Sequence, residues 1–381
     1  MTKMTITIDS KTLKDVFTKA VKVIDRKVIL DCHRAAKIDT KSGMASVTTC
    51  NRDARLTLPM PLISSDGDSS FCVNATDFAD AVSILPEGVV TITANDKYVE
   101  VDYNGGHFSL PSIVIDEYPP EPVLDGDTNR FSLPSTIERL CLNECMSVTE
   151  DNSVRPMMSC IYHGFTGDGL SVVSSNGRAL VKNDIPSVAS PTPCSFLLPL
   201  KAANTLSALL KSAKDDNALS VSFDTKNIIF AQGADFTFTT CMPSYGYPDS
   251  NKVVNEILNG CTCIARCDGD ALREAVNCAG IFTSSSTNLI TFTLDPAGEL
   301  TVEGEDRDYS KSCKRVVKAD FNGNGIFRIG LSSKQFNALV PSGAGMVDIK
   351  FVDPSKAMLI TIVDQGDAVH TTYLLMPMWT E

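Results

Sequence analysis

The sequence predicts an α+β fold made of three like domains. Three observations predict it. Alternating hairpins recur three times, a helical segment precedes each hairpin, and a strand followed by a helix opens each stretch. The spacing is about 125–130 residues, far longer than a solenoid repeat. At 381 residues the chain is too long for one ordinary core and suits two or three. Domain boundaries are expected near residues 126 and 257, giving domains 1–126, 127–257 and 258–381.

Each repeat opens with a strand: Thr5–Ile8, Arg130–Leu133 and Thr262–Arg266. A helix follows, Ser10–Ile24, Pro134–Val148 and Asp268–Phe282, and Ser10, Ser135 and Asp268 are the expected caps. A second helix comes later: Ala75–Leu85, Lys201–Ala213 and Ser333–Leu339. Leu85-Pro86-Glu87-Gly88 and Val340-Pro341-Ser342-Gly343 punctuate two of these in the same way. The hairpins are Val89–Ala94 with Tyr98–Tyr103, Leu219–Phe223 with Ile228–Ala231, and Val347–Val352 with Met358–Val363. Their Asn/Asp/Gly turns and period-2 alternation are hairpin signals. The alternative is chance likeness among three β-rich domains.

The last residues, Tyr373 to Glu381, keep an apolar run where chains usually fray, and they hold the single tryptophan. Methionines such as Met376 and Met378 suit surfaces that accept several partners. No apolar run reaches the roughly 18–20 residues of a membrane span. Residues 1–6 lack the apolar region of a signal peptide, which points to the cytoplasm.

The thirteen cysteines lack paired Cys-x-x-Cys spacing, and the four histidines have no partner at ligand spacing. They read as small buried hydrophobes, and no metal or other cofactor is expected. A net charge of −12 argues against nucleic acid unless basic residues cluster locally. The first helix offers such a cluster: Lys11, Lys14, Lys19 and Lys22, followed by Arg26 and Lys27, opposed by Asp15 and Asp25. A solvated lysine face is the plain alternative.

Catalytic motifs are absent: no phosphate-binding loop, no His-Glu-x-x-His, no Gly-x-Ser-x-Gly. The acidic cluster Gly304 to Asp308 reads as a solvated loop, and the pair Asp116-Glu117 has no partner that sequence can place. No catalytic residue is assigned, which favours binding or scaffolding. The alternative is a β-rich cytoplasmic hydrolase with an unidentified carboxylate pair.

Taken in order, certain segments make the chain similar to the bacterial sliding clamp family, the beta subunit of DNA polymerase III. They are Thr5-Ile6-Thr7-Ile8; Leu85-Pro86-Glu87-Gly88; Phe108-Ser109-Leu110; Glu117-Tyr118-Pro119; Ser175-Asn176-Gly177-Arg178-Ala179-Leu180; Tyr247-Pro248-Asp249; and Tyr373-Leu374-Leu375-Met376-Pro377-Met378. The resemblance implies the clamp fold, with helices lining a ring and sheets outside. It implies a homodimer ring that encircles double-stranded DNA without reading sequence. Such a processivity factor works in DNA replication, on the nucleoid in the cytoplasm. It tethers the replicative DNA polymerase and also serves the clamp loader and other proteins with a clamp-binding motif.

By position, the resemblance assigns DNA contact to Arg26 and to the loop with Asn152. The lysines Lys11, Lys14, Lys19 and Lys22 are added on charge. The implied partner groove comprises Met158, Ser175, Gly177, Arg178, Leu180, Pro248, Lys252, Val253, Ala357, Leu374, Leu375, Met376, Pro377 and Met378. The implied dimer contact pairs Phe108 and Leu110 with Ile281 and Phe282 of a second copy. The family's usual His-Arg pair reads Arg178-Ala179 here, its basic-Leu ending reads Trp379-Thr380-Glu381, and its aromatic residues near the DNA loop read Pro156 and Met157. Partner peptides of a different kind are implied.

Overall fold

A computed structural model describes residues 4–25, 27, 30–114, 118–126, 128–211 and 218–379. Arg26, Asp116, Glu117, Thr380 and Glu381, and the end of the helix expected through Ala213, lie outside the described residues. The helices among them are α1 (Ser10–Ala20), α2 (Ala75–Ser83), α3 (Ser135–Met146), α4 (Leu200–Lys211), α5 (Ser250–Gly260), α6 (Gly269–Gly280) and α7 (Ser333–Leu339). Six correspond to expected helices. α5 has no counterpart among the expected helices. The boundary expected after residue 257 runs through it.

Every expected hairpin forms an antiparallel pair: Val89–Ala94 with Tyr98–Tyr103, Ala218–Phe223 with Asn227–Gln232, and Met346–Phe351 with Met358–Ile362. A four-stranded pattern also recurs. The meander Ala35–Lys41, Met44–Cys50, Ala54–Met60 carries Ser69–Asn74 on its first strand. Cys160–Thr166, Gly169–Ser175, Ala179–Ile185 and Cys194–Pro199 repeat this order. So do Leu289–Asp295, Glu299–Asp306, Lys311–Phe321 and Phe327–Ser332.

The helices obey their apolar stripes. α1 buries Leu13, Val16, Phe17 and Ala20, and the Phe17 ring lies 4.6 Å from that of Phe78 in α2. Its cap is Asp9, one residue before the expected Ser10: the Asp9 carboxylate accepts from the Thr12 amide at 3.0 Å. An ionised acceptor answers an amide that the helix start leaves open. Ser10 instead accepts from the Gly88 amide at 3.1 Å. Lys14 donates to the Leu85 carbonyl at 2.6 Å, just past α2. In the third repeat Arg273 does the same work, donating to the carbonyls of Asn337, at 2.8 Å, and Val340, at and beyond the end of α7. A cation there answers carbonyls that the helix end leaves open. Arg139 holds the same place in α3.

Contacts divide the chain into two compact units, Met1–Arg139 with Asn204–Ser244, and Leu140–Ala203 with Tyr245–Glu381. The first unit holds a five-stranded sheet, in the order Ser64–Ser65, Met4–Asp9, Val89–Ala94, Tyr98–Tyr103, Gly106–Pro111. It also holds an eight-stranded sheet that joins two repeats, because Phe236–Cys241 pairs with Ala54–Met60. The second unit holds a twelve-stranded sheet joined in the same way, His370–Leu375 pairing with Ala179–Ile185. In both joins, the strand after a hairpin pairs with the last strand of the preceding repeat's meander.

Two edges lack such a partner among the described residues. Gly106–Pro111 follows the first hairpin and pairs only with Tyr98–Tyr103. Residues 311–318 end the third meander and pair only with Glu299–Asp306.

Candidate partner groove and DNA-facing residues

The groove residues gather in the second unit around the tail strand His370–Leu375. This strand is central, with Ala179–Ile185 on one side and Met358–Ile362 on the other. Register puts Leu374 opposite both Leu180 and Leu359, so the three share one face. α5 covers that face: Val254 and Ile257 pack with Val173, Leu180, Ala357, Leu359 and Leu374 in one buried cluster. Asp249 holds the start of α5, its carboxylate accepting from the amides of Asn251 at 3.0 Å and Lys252 at 3.2 Å.

The rim is aromatic. Tyr162 and Tyr247 stack at 5.2 Å between centroids, 12° from parallel, and pack against the cluster. Burial pushes the Tyr247 phenol up, so it stays protonated. Beside them is an open cavity of about 550 Å³, lined by both tyrosines, Lys182, Asp184, Pro248 and Asn251 among others. Lys182 and Ser171 both bond to Asp184 there, so this part of the wall is polar.

The turn Ser175 to Ala179 is built locally. The Asn176 side-chain oxygen accepts from the amides of Arg178 at 3.0 Å and Ala179 at 2.9 Å. Gly177 has φ +83°, a left-handed backbone that disfavours side chains. Arg178 is exposed, and its carbonyl accepts from the Met376 amide at 2.8 Å. Beyond this point the tail turns to another strand, the Met378 amide donating to the Gly330 carbonyl at 2.7 Å. Met376 is exposed, Pro377 and Met378 half-buried, and Trp379 is 96% exposed.

The structure does not put all fourteen predicted groove residues together. Leu375 points to the opposite face from Leu374, beside Ala179 and Met358, and is 1% exposed. Strand alternation separates the two leucines, so Leu375 packs on the other side of the sheet from the cluster under α5. Met158, on the short turn Pro156–Ser159, is also buried. Lys252 and Val253 lie on α5 and are exposed, Lys252 opposite its buried face and Val253 one turn from Ile257 at the edge of that face. Sequence reasoning missed Val254, Ile257, Leu359 and the Tyr162–Tyr247 pair. Asp249 before an apolar pair was the available signal for α5.

On the face behind the tail strand, the Tyr373 hydroxyl donates to the Glu144 carboxylate at 3.0 Å. Burial pushes the Glu144 carboxyl up, and the Tyr373 bond opposes that shift.

Among the basic residues, Lys11 is exposed on the side of α1 opposite its buried face, Lys19 is half-buried on its flank, and Lys22 is exposed in the turn after the helix. Lys14 is committed to the Leu85 carbonyl, which removes it from the candidates for phosphate contact. Asn152 is a turn former: its side-chain oxygen accepts from the amides of Val154 at 3.1 Å and Arg155 at 2.8 Å. Phe108 is half-buried near the rings of Phe78 and Tyr103, at 6.5 and 6.3 Å. Leu110 lies on the same vacant edge strand, also half-buried. Ile281, at the end of α6, is 76% exposed, and Phe282 is half-buried.

No helix among the described residues is long and apolar enough to cross a membrane.

Comparison with known proteins agrees with this architecture. Residues 4–124 match the model for the N-terminal domain of the DNA polymerase III beta subunit. A beta sliding clamp of Helicobacter pylori strain ATCC 700392 / 26695 is 23% identical over 310 residues, 78% of each chain. The Treponema pallidum beta sliding clamp is 18% identical over 330 residues, 85% of each. The fold superposes on a DnaN sliding clamp of Pseudomonas aeruginosa with a TM-score of 0.91, at 20% identity and over 100% of both chains. With the N-terminal family match, clamp relatives along most of the sequence and the clamp fold throughout, the chain is similar to the bacterial DNA polymerase III beta subunit family of sliding clamps.

Proposed function

We propose that two copies of this chain close into a ring around duplex DNA and tether a polymerase to it. The observation that carries the ring is the pair of filled strand junctions beside two vacant edges. Each filled junction sets a post-hairpin strand against the last strand of a meander. Gly106–Pro111 and residues 311–318 are the corresponding strands without a partner. A second copy supplies both missing partners, head to tail, and two such joins close the assembly. Charge favours the match: Glu100 and Asp102 flank the first edge, Lys314 and Lys318 lie on the second. Phe108, Leu110, Ile281 and Phe282 supply the apolar contact.

In this reading the division into domains 1–126, 127–257 and 258–381 follows the repeats, with the last boundary moved beyond α5. Lys11, Lys19, Lys22 and Arg26 meet phosphates weakly and without base reading, so the ring moves along DNA. The net charge of −12 resides elsewhere and repels DNA from the outer wall. Tethering raises the local polymerase concentration, so that dissociation from the primer end no longer stops synthesis. The groove edged by Arg178, Pro248, Met376, Pro377 and Met378 receives an apolar peptide anchor from polymerase, clamp loader and other partners.

The protein is not an enzyme: its relatives and structural neighbours are sliding clamps. A hydrolase reading has no feature in its favour. The test is topological. Loaded protein should stay on a nicked circular duplex and leave once the circle is linearised. Equal loss from both forms would overturn the ring.

A further inference from the structure

We propose that Cys278 and Cys313 form a reversible intramolecular disulfide, a thiol modification site that pins α6 to the vacant edge strand. The two sulfurs lie 3.6 Å apart, in van der Waals contact, and both residues are only partly buried. A bonded pair needs about 2 Å, a gap that side-chain rotation can close. The approach has a sequence cause. Gly304 is the cross-strand partner of Cys313, and a β-carbon on it would stand 2.2 Å from the Ala279 carbonyl oxygen. Glycine at 304 therefore lets α6 settle onto the sheet at the turn that carries Cys278.

Access is open as well. Cys313 lines a cavity of about 560 Å³ with Gly304, Ser312, Lys314, Arg328 and Trp379 among its walls, large enough for a small oxidant. Neither sulfur is engaged in a disulfide, so both are available as thiols.

A low-molecular-weight disulfide is the co-reactant. The Cys313 thiolate, on the cavity wall, attacks one of its sulfurs and expels one small thiol. The Cys278 thiolate then attacks the Cys313 sulfur and expels the second. Two S–H bonds are lost and one S–S bond forms; the oxidant gains the two electrons and two protons as two thiols. Burial pushes the Cys313 thiol up, so the rate should rise with pH across the neutral range.

The cross-linked chain should still dimerise through this edge, an expectation that rests on the ring reading, since residues 311–318 are its proposed edge; the disulfide itself does not. The full chain is treated with oxidised glutathione, then alkylated, digested and mapped by mass. A Cys278–Cys313 peptide should appear, vanish on reduction, and be absent from Cys278→Ser and Cys313→Ser variants that fold as the parent does. Alkylation of both thiols after oxidant treatment, or glutathione retained on Cys313 with Cys278 still alkylated, would overturn the proposal. Native mass spectrometry of the same samples separates the two claims. A cross-linked monomer overturns the edge reading and leaves the disulfide standing. A dimer without the cross-link does the reverse.

Discussion

Lys11 and Lys14 stand three residues apart on α1 and do different work. Lys14 reaches the Leu85 carbonyl at 2.6 Å; Lys11 faces away from the core. Lys14→Met should therefore lower stability by about 1–2 kcal/mol, read from urea denaturation, because it orphans a partly buried carbonyl. Lys11→Gln should leave stability unchanged and reduce the salt dependence of DNA retention by roughly one phosphate contact. The opposite pattern would mean that the roles are exchanged. A second residue-scale prediction concerns pH. Arg266 grips Asp348 through two bonds, at 2.7 and 2.8 Å, and so holds the Asp348 carboxyl below its ordinary value. A lowered folded pKa gives stability that is present above the unfolded value, about 3.9, and lost as pH falls through the folded one. The urea midpoint difference between the parent and Asp348→Asn should shrink on acidification below about pH 4. A difference constant with pH would show that Asp348 contributes by shape alone.

At the scale of elements, α5 and the tail strand form one device. α5 has two buried anchors, Val254 and Ile257, and both rest on the face that holds Leu374. Ile257→Ala should cost about 2–4 kcal/mol through the cavity it leaves. It should also weaken capture of a polymerase-tail peptide, measured by fluorescence anisotropy. Met376→Ala with Met378→Ala should weaken capture as much with a far smaller loss of stability, since Met376 is exposed and Met378 half-buried. Equal peptide affinity in parent and double variant would move the groove elsewhere. Deleting residues 374–381 is a poorer test, because it cuts into a strand paired on both sides. Unfolding of the second unit is its expected outcome.

At the scale of the whole molecule, the proposal turns on edges. Long exposed strand edges invite pairing, and proteins either protect them or use them. Phe108→Asp or Ile281→Asp should convert a dimer into a monomer with unchanged circular dichroism, followed by analytical ultracentrifugation. A dimer that survives both changes would show that the two edges do not meet. Loss of the dimer should also abolish retention on nicked circles, because a single copy leaves both edges open.

Much of this was legible in the sequence. Period-2 and helical patterns gave three hairpins and six helices, since those signals lie within a few neighbouring residues. Other features depended on distant partners. Asp9 rather than Ser10 caps α1 because Ser10 is taken by Gly88. Leu374 and Leu375 look alike in sequence, yet only their cross-strand partners put one on the face covered by α5 and the other on the opposite face. α5 carries its own cap and apolar stripe, Asp249 with Val254 and Ile257, but the strands that it covers come together from two repeats. The sequence by itself determined the repeated elements and their order, because local periodicity encodes them. Tertiary structure decided which strand joins which, and so where the groove and the open edges lie, because those pairings link residues more than a hundred positions apart.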